Sequence, residues 1–267
     1  MTDALNAAAI AVDDVTVRFG GVWALSEVSI RFDAGRGIDA IIGPNGAGKT
    51  TLFNVLTGVV APTLGRVHAL GREITGLRPD QIFRAGVSRT FQGVRLFENL
   101  TVRQNVILAA RSANGRAMRA SGRMATGYWE GAEGRVRAAQ AMEQVGLSKT
   151  VQERHPSELT LWESRMVEIA RAISSQPGVL LLDEPAAGLT AVEKTRLREL
   201  LHRIASELDC RLVVVEHDMD LVMAIAGYVW VLNFGRLLAH GRPADVQANP
   251  QVLEAYLGTP QPEDEAA

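Results

Sequence analysis

Eight residues limit what this chain can fold into more than any other stretch: Gly43-Pro44-Asn45-Gly46-Ala47-Gly48-Lys49-Thr50. They fit G-x-x-x-x-G-K-[ST], the pattern of a phosphate-binding loop. Glycine reaches backbone conformations that side-chain-bearing residues avoid, so consecutive amides can turn inward on one anion. The apolar run Ile38-Asp39-Ala40-Ile41-Ile42 before the loop reads as a buried strand. Thr51 to Leu56 after it reads as a helix, whose N-terminus also favours an anion. In that setting Lys49 neutralises the β- and γ-phosphates and the Thr50 hydroxyl ligates Mg²⁺. Residues 43–51 are therefore the expected ATP cradle. The bland alternative, a glycine-rich turn with a chance Lys-Thr, does not account for the strand and helix on either side.

The chain has 267 residues. That suffices for one sizeable core but not for two large domains of ~150 residues each. An α/β domain with a smaller inserted subdomain is expected. The formal net charge of −2 gives no basic character that would point to nucleic acid. The single cysteine, Cys210, excludes an internal disulfide framework and stands before an apolar strand, as a buried, inert thiol. Met1-Thr2-Asp3-Ala4 lacks the basic start and apolar core of a signal peptide. The apolar stretch Leu221 to Phe234 is short of the ~20 residues of a membrane span.

Along the chain, residues 1–10 read as a flexible leader and 11–258 as one domain. Val15, Val17 and Phe19 alternate with polar residues as a half-buried strand, and Val28, Ile30 and Phe32 do the same after Gly20-Gly21. These predict a small antiparallel sheet beside the nucleotide site. Phe19 ends the first strand, where its ring either stacks on a purine or fills a turn. Residues from about 93 to 172 read as an inserted helical subdomain, with Val136, Ala139, Met142 and Val145 at helical spacing. Its middle, Ser112 to Gly134, holds five glycines and reads as looser. Leu197, Leu200, Leu201, Ile204 and Leu208 form one helical stripe. Val229-Trp230-Val231-Leu232 and Arg236-Leu237-Leu238-Ala239 flank a hairpin turn. Residues 259–267 read as a disordered tail.

A phosphate loop alone only binds nucleotide; turnover needs a metal ligand and a group that orients water. Val179-Leu180-Leu181-Leu182 is a buried parallel strand that delivers Asp183 and Glu184 at its C-terminal end. Asp183 reaches the metal shell. Glu184, next along a strand, points elsewhere and faces the attacking water. Leu212-Val213-Val214-Val215 delivers Glu216-His217-Asp218 to the same edge. His217 there is placed to sense the terminal phosphate, against the alternative of a structural histidine.

With these residues named, the chain resembles an ABC transporter ATP-binding subunit over about residues 10 to 258. The resemblance rests on ordered motifs: the loop at 43–50, Arg89-Thr90-Phe91-Gln92, Leu182-Asp183-Glu184-Pro185, and His217. It implies a P-loop NTPase fold of the ABC type, with a mainly parallel core sheet, an antiparallel β subdomain and an inserted α-helical subdomain. It further implies that Phe19 stacks on adenine, that Gln92 ligates Mg²⁺ and couples to the membrane subunit, that Glu184 is the catalytic base, and that His217 contacts the γ-phosphate. Leu96-Phe97-Glu98-Asn99-Leu100-Thr101-Val102, Glu184-Pro185-Ala186-Ala187-Gly188-Leu189 and Asn249-Pro250-Gln251-Val252-Leu253-Glu254-Ala255-Tyr256-Leu257-Gly258 resemble one branch, the ATPases of branched-chain amino acid uptake. Importers of urea, amides or short-chain acids share much of this.

One segment departs from the family. The signature Leu-Ser-Gly-Gly-Gln is here Leu159-Thr160-Leu161-Trp162-Glu163, ahead of the usual Glu168-Ile169-Ala170-Arg171-Ala172. In the family this segment meets ATP held by the opposite subunit. An indole where backbone approaches phosphate is a steric problem, and Glu163 sets negative charge beside negative oxygens. Thr190 stands where the family usually has Asp or Asn. The implied partners are two membrane permease subunits, a second ABC ATPase with a sound signature, and indirectly a solute-binding protein. The implied location is the cytoplasmic face of the plasma membrane. A regulatory ATPase of the same fold, without transport, is the reading from another class. A DNA-repair ATPase would need a longer insertion than residues 93–165.

Overall fold

The computed structural model describes residues 8–112 and 132–257. The chain opens with two long strands, β1 (Ala8–Phe19) and β2 (Val22–Asp33). They pair antiparallel across the Gly20-Gly21 turn, with Phe19 opposite Val22. With β4 (Leu64–Ala69) and β5 (Arg72–Glu73) they form a four-stranded sheet in the order β2-β1-β4-β5. Ala8, Ala9 and Ile10 are paired and buried in β1, so the leader expected over residues 1–10 is corrected at its end. Ala9 and Ile10 continue the strand into the core between the two sheets. Residues 1–7, the glycine-rich stretch 113–131 and the tail from 258 lie outside the described residues.

The second sheet has six strands in the order β10-β9-β3-β8-β7-β6. Its centre is β3 (Gly37–Ile42), β7 (Val179–Asp183) and β8 (Arg211–Val215), parallel to one another. Continuous apolar runs suit strands covered on both faces, and all of β7 is buried. β6 (Val87–Arg89) adds an edge strand parallel to β7, which the sequence reading did not single out because only three residues pair. On the other side β9 (Tyr228–Asn233) runs parallel to β3, and β10 (Arg236–Gly241) turns back on it through the expected hairpin.

Helix α1 (Lys49–Leu56) follows β3 directly, and α2 (Pro79–Arg84) precedes β6. Four helices fall in the span expected to be the helical insert: α3 (Val102–Ser112), α4 (Ala132–Gln144), α5 (Lys149–Gln152) and α6 (Leu161–Ser174). In α4 the buried stripe is Ala138, Ala141 and Met142, continued by Val145, while Val136 and Ala139 face out. The apolar stripe read from sequence is thus corrected at its first two members, Val136 and Ala139. Small alanines let α4 lie close to α3, where Arg137 donates to the Ala110 carbonyl at 2.9 Å. Helix α7 (Ala191–Glu207) buries Leu197, Leu200, Leu201 and Ile204 as its stripe requires. The chain closes with α8 (Met219–Ile225), α9 (Pro243–Gln247) and α10 (Pro250–Leu257). Among the described residues no helix is long and apolar enough to cross a membrane.

Candidate active site

The cradle lies between the end of β3 and the start of α1. Gly43 and Gly48 have φ of 152° and 100°. A Cβ on Gly43 would stand 2.1 Å from the Leu232 carbonyl oxygen, and one on Gly48 2.7 Å from that of Ala24. Only glycine fits either place. Lys49 is buried, and its ammonium donates to the carbonyls of Gly43 at 2.6 Å and Pro44 at 2.9 Å. Burial lowers its pKa, while the charges of Glu184 and then Asp183 act the other way. Thr50 and Thr51 fall in the first turn of α1. Pro44, Asn45, Gly46 and Ala47 form the arch between, with the Ala47 amide on the Pro44 carbonyl at 3.2 Å.

Asp183 ends β7. Its Oδ2 accepts from Arg89 Nη2 at 2.7 Å, with the two side chains 4% and 7% exposed. Arg89 also donates to Asn54 Oδ1 at 2.8 Å and Thr57 Oγ1 at 3.2 Å, which ties β6 and β7 to α1. Its guanidinium lies over the rings of Phe53 and Phe91, at 5.5 and 5.3 Å. Glu184 is past the strand end, with φ of 47° and its amide on the Val215 carbonyl at 2.9 Å. Its side chain parts from that of Asp183 through this left-handed kink, not through the strand alternation read from sequence. Gln92 Nε2 donates to Glu184 Oε2 at 2.9 Å, and His217 Nδ1 lies 3.9 Å from the same oxygen. Gln92, Glu184 and His217 therefore converge: the sequence set Glu184 and His217 on one sheet edge, and the chain after β6 brings Gln92 to them. His217 is 62% exposed, so its imidazole is open to a ligand.

Two segments flank this centre. Phe19 ends β1 as an exposed ring, and Trp23 on the facing strand is exposed too, with Arg18 at 5.1 Å over its indole. At the start of α6, Thr160 is the N-cap. Its hydroxyl accepts the Glu163 amide at 3.2 Å and its own amide donates to Glu163 Oε2 at 2.8 Å, a capping box. Glu163 also meets Arg154 at 3.4 Å, so its charge is partly offset. Trp162 leans on the helical core together with Leu159. Leu161 is left 44% exposed at the helix tip, in reach of Gly188.

The chain matches the family model described as ABC transporter over residues 25–187, and that described as branched-chain amino acid ATP-binding cassette transporter over residues 236–261. It is 41% identical over 251 residues to the high-affinity branched-chain amino acid transport ATP-binding protein LivG of Salmonella typhimurium, covering 93% of this chain and 97% of the relative. The corresponding BraF protein of Pseudomonas aeruginosa is 40% identical over 257 residues, covering 92% and 96%. The chain belongs to the ABC transporter family. Its ABC ATPase fold is matched by a solved structure, the ADP conformation of an ATP-binding cassette of an ABC transporter, at 27% identity and a TM-score of 0.81, covering 94% of this chain and 99% of that one.

As an ABC cassette the protein binds and hydrolyses ATP. Several residues of its site escaped the sequence reading. Arg89, beside the quoted Gln92, ties Asp183 to α1. Glu216 is fully buried and accepts the amides of Ala186 at 2.8 Å and His217 at 3.1 Å, so it binds the Glu184 turn to the histidine turn. Tyr256 on α10 sets its oxygen beside the Gly43 amide, and burial pushes its phenol up to about 12. Thr190 caps α7 with Glu193 as its box partner, a sound replacement for Asp or Asn at a helix start. The one signal available for Glu216 was its place at the end of the apolar run Leu212 to Val215; Arg89, between Ser88 and Thr90, carried none beyond its motif.

Proposed function

We propose that this ABC ATPase powers an importer for branched-chain amino acids, working as one of two different cassettes on two membrane permease subunits. The C-terminal match over residues 236–261 carries the substrate class, since that model is described as branched-chain amino acid ATP-binding cassette transporter. The relatives named for that transport support it along nearly their whole length. The cassette sits peripherally on the cytoplasmic face of the membrane, and a solute-binding protein supplies the permeases from outside.

Lys49 and the amides of residues 45–51 hold the triphosphate, and Phe19 carries the adenine. Glu184 orients the attacking water through Oε2, which Gln92 Nε2 and His217 Nδ1 already address. His217 faces the γ-phosphate, where its ring N–H meets developing charge. Asp183, Thr50 and Gln92 fit Mg²⁺. Arg89 holds one Asp183 oxygen and leaves Oδ1, while Gln92, donating through its nitrogen, keeps its amide oxygen as a ligand. The donor set is hard oxygen throughout, as Mg²⁺ shared with phosphates requires, and among the described residues no larger His/Cys/Asp/Glu cluster competes. An ion held by these residues would supply positive charge to offset that of the phosphate oxygens.

The signature segment supports pairing with a second cassette. Leu161 and Trp162 put side chains on the first turn of α6, where glycine would leave the amides open to a phosphate. The site built on this chain's own cradle is complete once a partner supplies a sound signature; the opposite site turns over weakly. The test is ATP hydrolysis by the chain alone and with such a partner, with calorimetry for Mg·ATP binding. Binding by the lone chain with little turnover, and turnover in the mixed pair lost on Glu184→Gln, is expected. Vigorous turnover by the lone chain, abolished by Glu184→Gln, refutes the need for a partner.

A further inference from the structure

Three side chains of α6 reach the backbone around Gln92. Arg165 donates through Nη2 to the Gln92 carbonyl at 2.8 Å and through Nη1 to the Phe91 carbonyl at 3.3 Å. Nη1 also bonds Glu168 Oε2 at 3.2 Å. The other oxygen of Glu168 accepts the Arg95 backbone amide at 3.1 Å, and Arg171 donates to the Arg95 carbonyl. No helix or strand runs from residue 90 to 101, so these side chains hold a stretch that has no ladder of its own.

Stability is a poor reason for this arrangement. Arg165 and Glu168 are each 6% exposed, and desolvation of such a pair offsets most of its attraction. Burial pushes the Glu168 carboxyl up, and Arg165 Nε has no partner among the described residues. An apolar pair of the same volume would pack at least as well. What this pair provides is placement: Arg165 and Glu168 fix two carbonyls and one amide of the Gln92 segment to a single helix, and Arg171 holds a third carbonyl. That helix begins with the Thr160–Glu163 box of the signature segment, and Gln92 in turn holds Glu184 Oε2.

We propose that Arg165 and Glu168 are positioning residues for hydrolysis. They lock the Gln92 backbone to α6, so that a shift at the signature end of the helix reaches Gln92 and, through it, Glu184. The inference rests on Glu184 orienting the water, as argued above. Docking of the partner cassette against the start of α6 and the placing of the water are then two ends of one rigid connection, because a packed helix is a rigid element between them.

The test is a double-mutant cycle on the full chain, paired with a cassette of sound signature, using Arg165→Met, Glu168→Gln and Gln92→Ala. Arg165→Met lowers kcat about tenfold while KM for ATP moves by less than about twofold. In the Gln92→Ala background the same change costs under about twofold, because the route through Gln92 is already cut. Amide hydrogen exchange over residues 91–97 speeds up in Arg165→Met and Glu168→Gln, and that in α1 does not. Additive losses in the cycle, or unchanged exchange at 91–97, overturn the proposal. Should Arg165→Met fail to fold, Arg165→Lys and Glu168→Gln run the same cycle. Glu184→Gln separates the two claims: wild-type turnover there refutes the role of Glu184, whereas lost turnover with an additive cycle refutes the positioning pair alone.

Discussion

Glu184 has a left-handed backbone, a conformation that costs a residue with a side chain about 1–2 kcal/mol. The kink turns one carboxylate toward Gln92 and His217 while its neighbour stays on Arg89. Replacing Glu184 by glycine should therefore abolish hydrolysis while leaving stability to urea unchanged or up to about 1 kcal/mol higher; Glu184→Ala keeps the strain and should gain nothing. The buried Arg89–Asp183 pair behaves oppositely. Arg89→Met leaves a buried carboxylate alone and should cost about 3–5 kcal/mol, read from urea unfolding. Adding Asp183→Asn should recover part of that loss, since no unpaired charge then remains.

Among the elements, α6 depends on its first turn. Thr160→Ala should cost about 1 kcal/mol through the lost cap, and Glu163→Gln much less, because the amide oxygen still accepts the Thr160 N–H. Strands β3 and β8 meet at Asp39 and Arg211, 3.4 Å apart. Burial pushes the Asp39 carboxyl from its ordinary 3.8 up to about 6, with Arg211 opposing. Between those values the folded protein holds a proton that the unfolded chain has released, so this group's contribution to stability falls as pH rises through the window. Urea midpoints measured from pH 4 to 8 should show that fall in the wild type and a flatter profile in Asp39→Asn.

At the scale of the molecule, the site is assembled from separate elements around one sheet edge, and the pairing proposed above would complete it with another cassette. The outcome expected from sedimentation is a lone chain that stays monomeric with Mg·ATP even as Glu184→Gln, and that dimerises when a cassette with a glycine signature is added. A stable homodimer of the Glu184→Gln chain would refute that pairing.

The loop at 43–50, the strand that delivers Asp183 and Glu184, and the helix stripe of α7 were legible in the sequence, because each is a local pattern: spacing, an apolar run, a 3.6-residue period. The resemblance to ABC cassettes was legible for the same reason, as motifs in order. The grip of Arg89 on Asp183 and that of Arg165 and Glu168 on the Gln92 segment were not, since their partners lie far along the chain. The strand β6 and the inward place of Ala8–Ile10 were decided by neighbours as well, and so was the orientation of Trp162 and Glu163. A sequence states which groups are available; only the packing of distant elements determines which of them must share a buried space, and there a charge has to find its partner.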